Sequence, residues 1–296
     1  MRILILESNL NVASSLEKAL NEIERDIAIA PKDFNDYPIR VWEDYIERLR
    51  PTAVIYRGGI HDVNTGQKNK DLCEILNVFN TGKLLEAAKK ADSAFIYVST
   101  ANVFDGKKDS SYVENDITHP INEYGMSKAK GEALVRNYEK SYIIRPGWLY
   151  GFSDDIIMKT LAKAQSFEEF NKRGNSRVKK IIANCNIYSN PLYINDLAYN
   201  IYFMLLKEKY GTYHFFNDGS ASKIDLYRYA TKFFEIDVPF EERDTGESFD
   251  SQIYPENLRL STVYTDDIIS RSWQDAMDDY LFDFVRHERI MQLKNK

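Results

Sequence analysis

"MRILILESNLNVASSLEKAL", residues 1–20, decides the fold. Arg2 to Leu6 has the length and continuous apolar character of a strand buried on both faces. A short turn follows, and Val12, Leu16, Leu20 and Ile23 then recur at helical spacing. Strand, turn and helix make the opening half of a β-α-β unit. The turn, from Glu7 to Ala13, contains no glycine.

Further along, the same alternation repeats. Residues 26–30, 53–56, 93–99 and 141–145 read as strands. Residues 42–49, 71–90 and 124–138 read as helices. This order predicts an α/β protein with a doubly wound parallel sheet. After Gly151 the regularity weakens. Helices are expected at 156–170, 194–206 and 223–234, with a helical tail from Arg271, and the acidic stretch 241–250 reads as a surface loop. No Gly/Ser linker separates the halves. The expected division is a dinucleotide-binding-type unit over 1–151, with 185–217 returning to its sheet. Residues 152–184 and 218–296 would build a smaller substrate lobe.

The totals narrow the function. A chain of 296 residues is long enough to bury a large core. A net charge of −6 argues against holding nucleic acid or an anionic membrane by bulk electrostatics. Cys73 and Cys185 are the two cysteines, without metal-type spacing, so neither a metal site nor a disulfide framework is expected. No apolar run reaches the roughly 18 residues of a membrane span. With a strand from Arg2 there is no room for a signal peptide. The expectation is a soluble cytoplasmic protein.

The chemistry concentrates in "FIYVSTANVFDGKKDSSYVENDITHPINEYGMSKAKGEALVRN", residues 95–137. An apolar strand ends in Ser99 and Thr100, and "YGMSK" opens a helix. Tyr124 and Lys128, four apart, share one helix face. An ammonium near a phenol favours the phenolate, which suits acid/base work. Thr100 is placed to bond the same substrate oxygen. A lone Tyr-x-x-x-Lys is weak, and an exposed helix with a solvated lysine is its plain structural reading. The position of this pair, at the strand ends where such sheets bind ligands, favours the chemical one.

These segments resemble the extended short-chain dehydrogenase/reductase family, and within it the dTDP-4-dehydrorhamnose reductase group. "STANVFDG" (99–106) and "YVENDITHPINEYGMSKAKGE" (112–132) are similar to the group's strand end and active-site helix. "IIRPGWLYG" (143–151), "SNPLYINDLA" (189–198), "GTYHFFNDGSAS" (211–222) and "YPENLRLST" (254–262) follow in the same order. The resemblance implies a Rossmann-like fold, NADPH or NADH as cofactor, and reduction of a nucleotide-linked 4-keto-6-deoxysugar for surface polysaccharide. It implies Tyr124 as the acid/base and Lys128 as the residue that lowers its pKa and holds the nicotinamide ribose. Thr100 would bind the substrate carbonyl, and Asn77, in "NVFNTGKLLEAA" (77–88), would support Lys128 through water. An epimerase or dehydratase of the family stays open, since fold does not fix reaction. So does a non-catalytic relative, as the regulatory subunit of methionine adenosyltransferase is.

The chain departs from the family in places. Glu7, Leu10 and Ala13 stand where the family has Gly-x-x-Gly-x-x-Gly, whose glycines allow the tight turn and the approach of the pyrophosphate. Leu10 and Asn11 are then the candidates nearest the phosphates, with Asn9, Ser14 and Ser15 as alternative donors. Lys32 has two readings, a contact to a ribose 2′-phosphate and a solvated loop lysine. "YRGGIHD" (56–62) brings Arg57, Gly58 and Gly59 to the cofactor wall. Tyr254 replaces an arginine of the substrate region. His61 reads as a surface histidine, His119 as structural and His214 as half-buried. Trp148 and Tyr150 fit a sugar pocket and core packing equally. The amphipathic helices allow a homodimer, though the core could use them all.

Overall fold

The structure is a computed structural model that describes residues 1–24, 26–29, 37–174, 177–244 and 253–294. Strands β1 (Ile3–Glu7), β2 (Ile27–Ile29), β3 (Ala53–Gly58), β4 (Ala94–Val98) and β5 (Ser141–Pro146) form one parallel sheet with Gly211–Phe215. The six strands run in the order Gly211–Phe215, β5, β4, β3, β1, β2. The chain therefore leaves β1 for one side and returns on the other. The ends of β1 and β3 flank that reversal, which is where open α/β sheets bind ligands.

Side chains alternate across the strands, so each face needs its own cover. Ile3, Ile5, Ile55, Ile96 and Ile144 pack on one face with Val12 and Leu16 of α1 (Leu10–Asn21) and with Leu197 and Ile201 of the helix Ile194–Lys207. Leu4, Leu6, Val54, Phe95 and Ile143 pack on the other. They meet Trp42 and Ile46 of α2 (Ile39–Leu49), and Leu84 and Ala88 from the long helical stretch after residue 70.

That stretch is not one α-helix, as 71–90 reads. Preceded by α3 (Val63–Lys68), it runs as α4 (Lys70–Cys73), a π turn (Glu74–Phe79) and α5 (Asn80–Lys90). Such π turns gather at functional sites. Its buried residues are Leu76 and Asn77. After α6 (Glu123–Val135) and β5, several strands of two to four residues pair in twos, too short for periodicity to reveal. Part of the supposed acidic surface loop is one of them. Phe240–Arg243 pairs in parallel with Ile181–Asn184, while residues 245–250 lie outside the described residues. From 185–217, Gly211–Phe215 joins the main sheet beside β5, whereas Tyr188–Ser189 and Pro191–Tyr193 pair elsewhere. Among the described residues no helix is long and apolar enough to cross a membrane.

Candidate active site

Tyr124, Lys128 and Thr100 meet at the carboxyl ends of β3 and β4. Asn122 caps α6 by accepting from Gly125 N–H at 2.8 Å, and its amide holds Ile253 O at 2.9 Å, which ties the C-terminal segment to the helix start. Tyr124 is buried among Ile60, Val63, Cys73 and Leu76. Burial pushes its phenol above the ordinary value, and a hydrogen bond with Thr100 works against that. The net shift is upward, and Lys128 is not among its largest causes.

Lys128 is fully buried. Its Nζ donates to Arg57 O at 2.5 Å and Val98 O at 2.6 Å, and sits 4.5 Å from the centre of the Tyr97 ring. Burial, with the Arg57 guanidinium adding to it, holds the ammonium down to about 7. Asn77 anchors the loop after β3. Its Oδ1 accepts from Gly59 N–H and Ile60 N–H at 3.3 and 3.4 Å, and its Nδ2 donates to Ser127 Oγ at 2.9 Å. The π turn thus delivers one carboxamide to both the loop and the Tyr124–Lys128 helix.

Gly58 closes this arrangement. It has φ +85°, and a Cβ there would lie 2.5 Å from Asn77 Oδ1 and 3.6 Å from Lys128 Nζ. Gly58→Ala should therefore cost about 1–3 kcal/mol from backbone strain alone and displace Asn77 as well. Urea unfolding measures this; a loss under about 0.5 kcal/mol would refute the packing.

At the end of β1, Glu7 is buried. Its carboxylate accepts from Arg57 Nε, from Arg57 Nη2 at 3.2 Å and from Asn9 N–H at 2.8 Å, and lies 3.1 Å from His61 Nε2. Burial alone would raise Glu7, but Arg57 and His61 overcome it and hold the carboxyl well below the usual range. His61 is therefore half-buried and engaged, rather than a free surface histidine. Its Nε2 is 2.8 Å from Ser8 Oγ, and burial followed by the Arg57 charge pushes its imidazole below the ordinary value. Asn9 caps α1 through its side-chain oxygen, which takes the N–H groups of Asn11 and Val12 at 3.0 and 3.3 Å, so that oxygen is spent inside the turn. Leu10 is exposed at the helix start, and Lys32 lies outside the described residues.

Beneath Ser99 lies a second charged group. Arg145 and Glu132 are almost wholly buried and joined at 2.9 and 2.7 Å, and Ser99 Oγ donates to Glu132 Oε1 at 2.6 Å. Two sequence signals pointed there: a glutamate one turn after Lys128 on the same helix face, and an arginine inside an apolar strand. His214, fully buried rather than half-buried, joins through Arg145 Nη1 at 3.4 Å, and Glu114 accepts its N–H at 3.0 Å. His119 is exposed, while its N–H bonds Val103 O at 2.8 Å. Tyr150 belongs to the core, and Trp148 packs partly buried against it.

Burial lowers the His214 imidazole from 6.5 to about 4, against Glu114. Folded protein keeps it neutral where the unfolded chain protonates it. Stability is then full above pH 6.5 and falls as pH drops towards 4. His214→Gln should flatten that fall. Denaturant unfolding at several pH values is the check, and an unchanged slope in the variant would refute the assignment.

The residues around Tyr124 fit a nicotinamide cofactor. Thr100, Tyr124, Lys128 and Asn77 converge there, and the buried Asn102 Oδ1 beside Thr100 has no hydrogen-bond partner among the described residues. The turn after β1 differs from a glycine-rich one, since Glu7 is paired with Arg57 there.

The model of the RmlD substrate binding domain matches residues 1–285. The chain is 29% identical to the dTDP-4-dehydrorhamnose reductase of Aggregatibacter actinomycetemcomitans over 236 residues, 76% of each protein. It is 26% identical to the spore coat polysaccharide biosynthesis protein SpsK of Bacillus subtilis, over 92% of each. A crystal structure of the dTDP-4-dehydrorhamnose reductase of Bacillus anthracis in complex with NADP superposes with a TM-score of 0.83, at 23% identity, covering 95% of this chain and 99% of that one, a likeness of fold. A match over nearly the whole length, on a parallel sheet with the reversal at β1, makes the chain a member of the RmlD substrate binding domain family.

Proposed function

We propose that this protein is an NAD(P)H-dependent reductase of a nucleotide-linked 4-keto-6-deoxysugar, acting as dTDP-4-dehydrorhamnose reductases do in nucleotide-sugar biosynthesis. The observation that carries the reading is the convergence of Thr100, Tyr124, Lys128 and Asn77 at the sheet's carboxyl edge. A non-catalytic binding protein has no need of that set. Thr100 and Tyr124 would hold the substrate carbonyl oxygen between their hydroxyls. A bound reduced nicotinamide supplies the hydride. Tyr124 gives its phenolic proton to the oxygen as negative charge develops there. Lys128, fixed by two carbonyls, would hold the cofactor's ribose; Asn77 keeps the loop beside it in place.

A cavity of about 770 Å³ suits the nucleotide. Lys107, Lys108, Asn186, Tyr188 and Arg259 line it together with Tyr254, which also packs against the Tyr124 cluster. Asp105, Asp109 and Glu256 line it too, so the charges balance, and Tyr254 links the cavity to the Tyr124 cluster. Residues 152–184 and those after 218 would form the substrate lobe. The test is oxidation of NADPH or NADH on adding dTDP-4-dehydrorhamnose, followed by identification of the reduced sugar. Inertness of the folded protein with both cofactors would sink the reading.

We further propose a homodimer through the exposed row Leu72, Ile75 and Phe79 with Leu134 of α6, which is close to Gly82. Sedimentation of Phe79→Glu checks this; an unchanged monomer–dimer balance would refute it. The two unpaired cysteines favour a cytoplasmic location, which cell fractionation tests.

A further inference from the structure

The buried Glu7 carboxylate sits at the carboxyl end of β1, next to the start of α1. It is bonded as a bound phosphate would be. A guanidinium fork approaches from Arg57, a backbone N–H from Asn9 and an imidazole from His61. Helix entries and arginine forks are the two commonest makings of an anion site. Here both are turned on a side chain of the protein itself.

Opposite charges at Glu7 and Arg57 lie 50 residues apart in sequence and come together because the ends of β1 and β3 are neighbours, with Glu7 paired to Gly58. His61 Nδ1 is buried without a hydrogen-bond partner among the described residues. Leu10, by contrast, is exposed at the start of α1.

We propose that Glu7 is the resident anion of a phosphate cradle built from Arg57, Asn9 N–H and His61, and that a dinucleotide's diphosphate binds by displacing the Glu7 carboxylate from Arg57. The inference rests on the reductase reading and goes beyond it by naming what replaces the glycine-rich turn. It makes Arg57 a cofactor-binding residue and Glu7 the residue that sets how tightly cofactor is held. The incoming anion exchanges for one already satisfied, so the cradle contributes little net attraction until Glu7 loses its charge. Replacing Glu7 by its amide keeps the shape and leaves Arg57 uncompensated.

Calorimetric titration with NADPH, and separately with inorganic pyrophosphate, tests this. Glu7→Gln should bind both at least about tenfold more tightly than the wild type. The gain should vanish in Glu7→Gln/Arg57→Met, and Arg57→Met alone should bind NADPH more weakly than wild type. Circular dichroism checks that each variant is folded, and Glu7→Ala serves if Glu7→Gln is not. Equal or weaker binding by folded Glu7→Gln or Glu7→Ala would overturn the inference. If the wild type still reduces the keto sugar in that case, the reductase reading survives. Failure of every folded protein to bind NADPH would overturn both.

Discussion

Tyr124→Phe is expected to lower turnover of a nucleotide-linked keto sugar by about 10²- to 10⁴-fold, the range that a positioned proton donor contributes. The substitution removes one oxygen and keeps the ring. That ring packs in an apolar cluster with Ile60, Val63, Cys73 and Leu76, so the fold has no reason to change. Burial keeps the phenol protonated well past neutral pH, which makes Tyr124 a reservoir for the proton the developing alkoxide needs. Cofactor affinity should stay near the wild-type value, because Lys128 is fixed by Arg57 O and Val98 O. Turnover falling together with cofactor affinity would mean that the site had collapsed. Turnover within a few-fold of wild type would remove Tyr124 from its assigned role.

The sheet and the tyrosine–lysine pair were legible in the sequence for different reasons. A parallel sheet covered on both faces needs continuous apolar strands, and those appear as runs such as residues 3–6 and 94–98. The pair is local, four residues on one helix. What could not be read were partnerships across long separations. Glu7 looks like an obstacle to an anion and Arg57 like an oddity of a loop. Only the register of β1 against β3 turns them into one neutral unit. His61 was misread for the same reason, since its partners Ser8 and Glu7 lie more than fifty residues upstream. The π turn was hidden because residues 70–90 keep a helical apolar pattern across it, and the extra residue shows only in the hydrogen bonds.

Arg145→Met is the structural counterpart, with an expected loss of about 3–5 kcal/mol of folding stability. The arginine and Glu132 side chains are 1% and 2% exposed, so neither charge has water to fall back on. The guanidinium gives two hydrogen bonds to Glu132 and stacks 5.1 Å from the Phe104 ring. Methionine fills much of the same space but leaves the carboxylate with Ser99 and, at 3.5 Å, Arg136. An uncompensated buried charge is the main cost, rather than the lost attraction. Removing the charge as well should then restore most of the stability. Arg145→Met/Glu132→Leu is expected to recover more than half of the loss, as replacing a whole buried pair by apolar groups is often near neutral. Chemical denaturation of the three proteins decides the matter. A single-variant loss under about 1 kcal/mol would show that water reaches the pair, and additive losses in the double variant would show that the two side chains act separately. Ser99 bonds Glu132 and directly precedes Thr100, so the same series should move the substrate-binding strand end. KM for the keto sugar should rise in Arg145→Met under conditions where the variant remains folded, and stay raised in the double variant, where Ser99 has lost its acceptor.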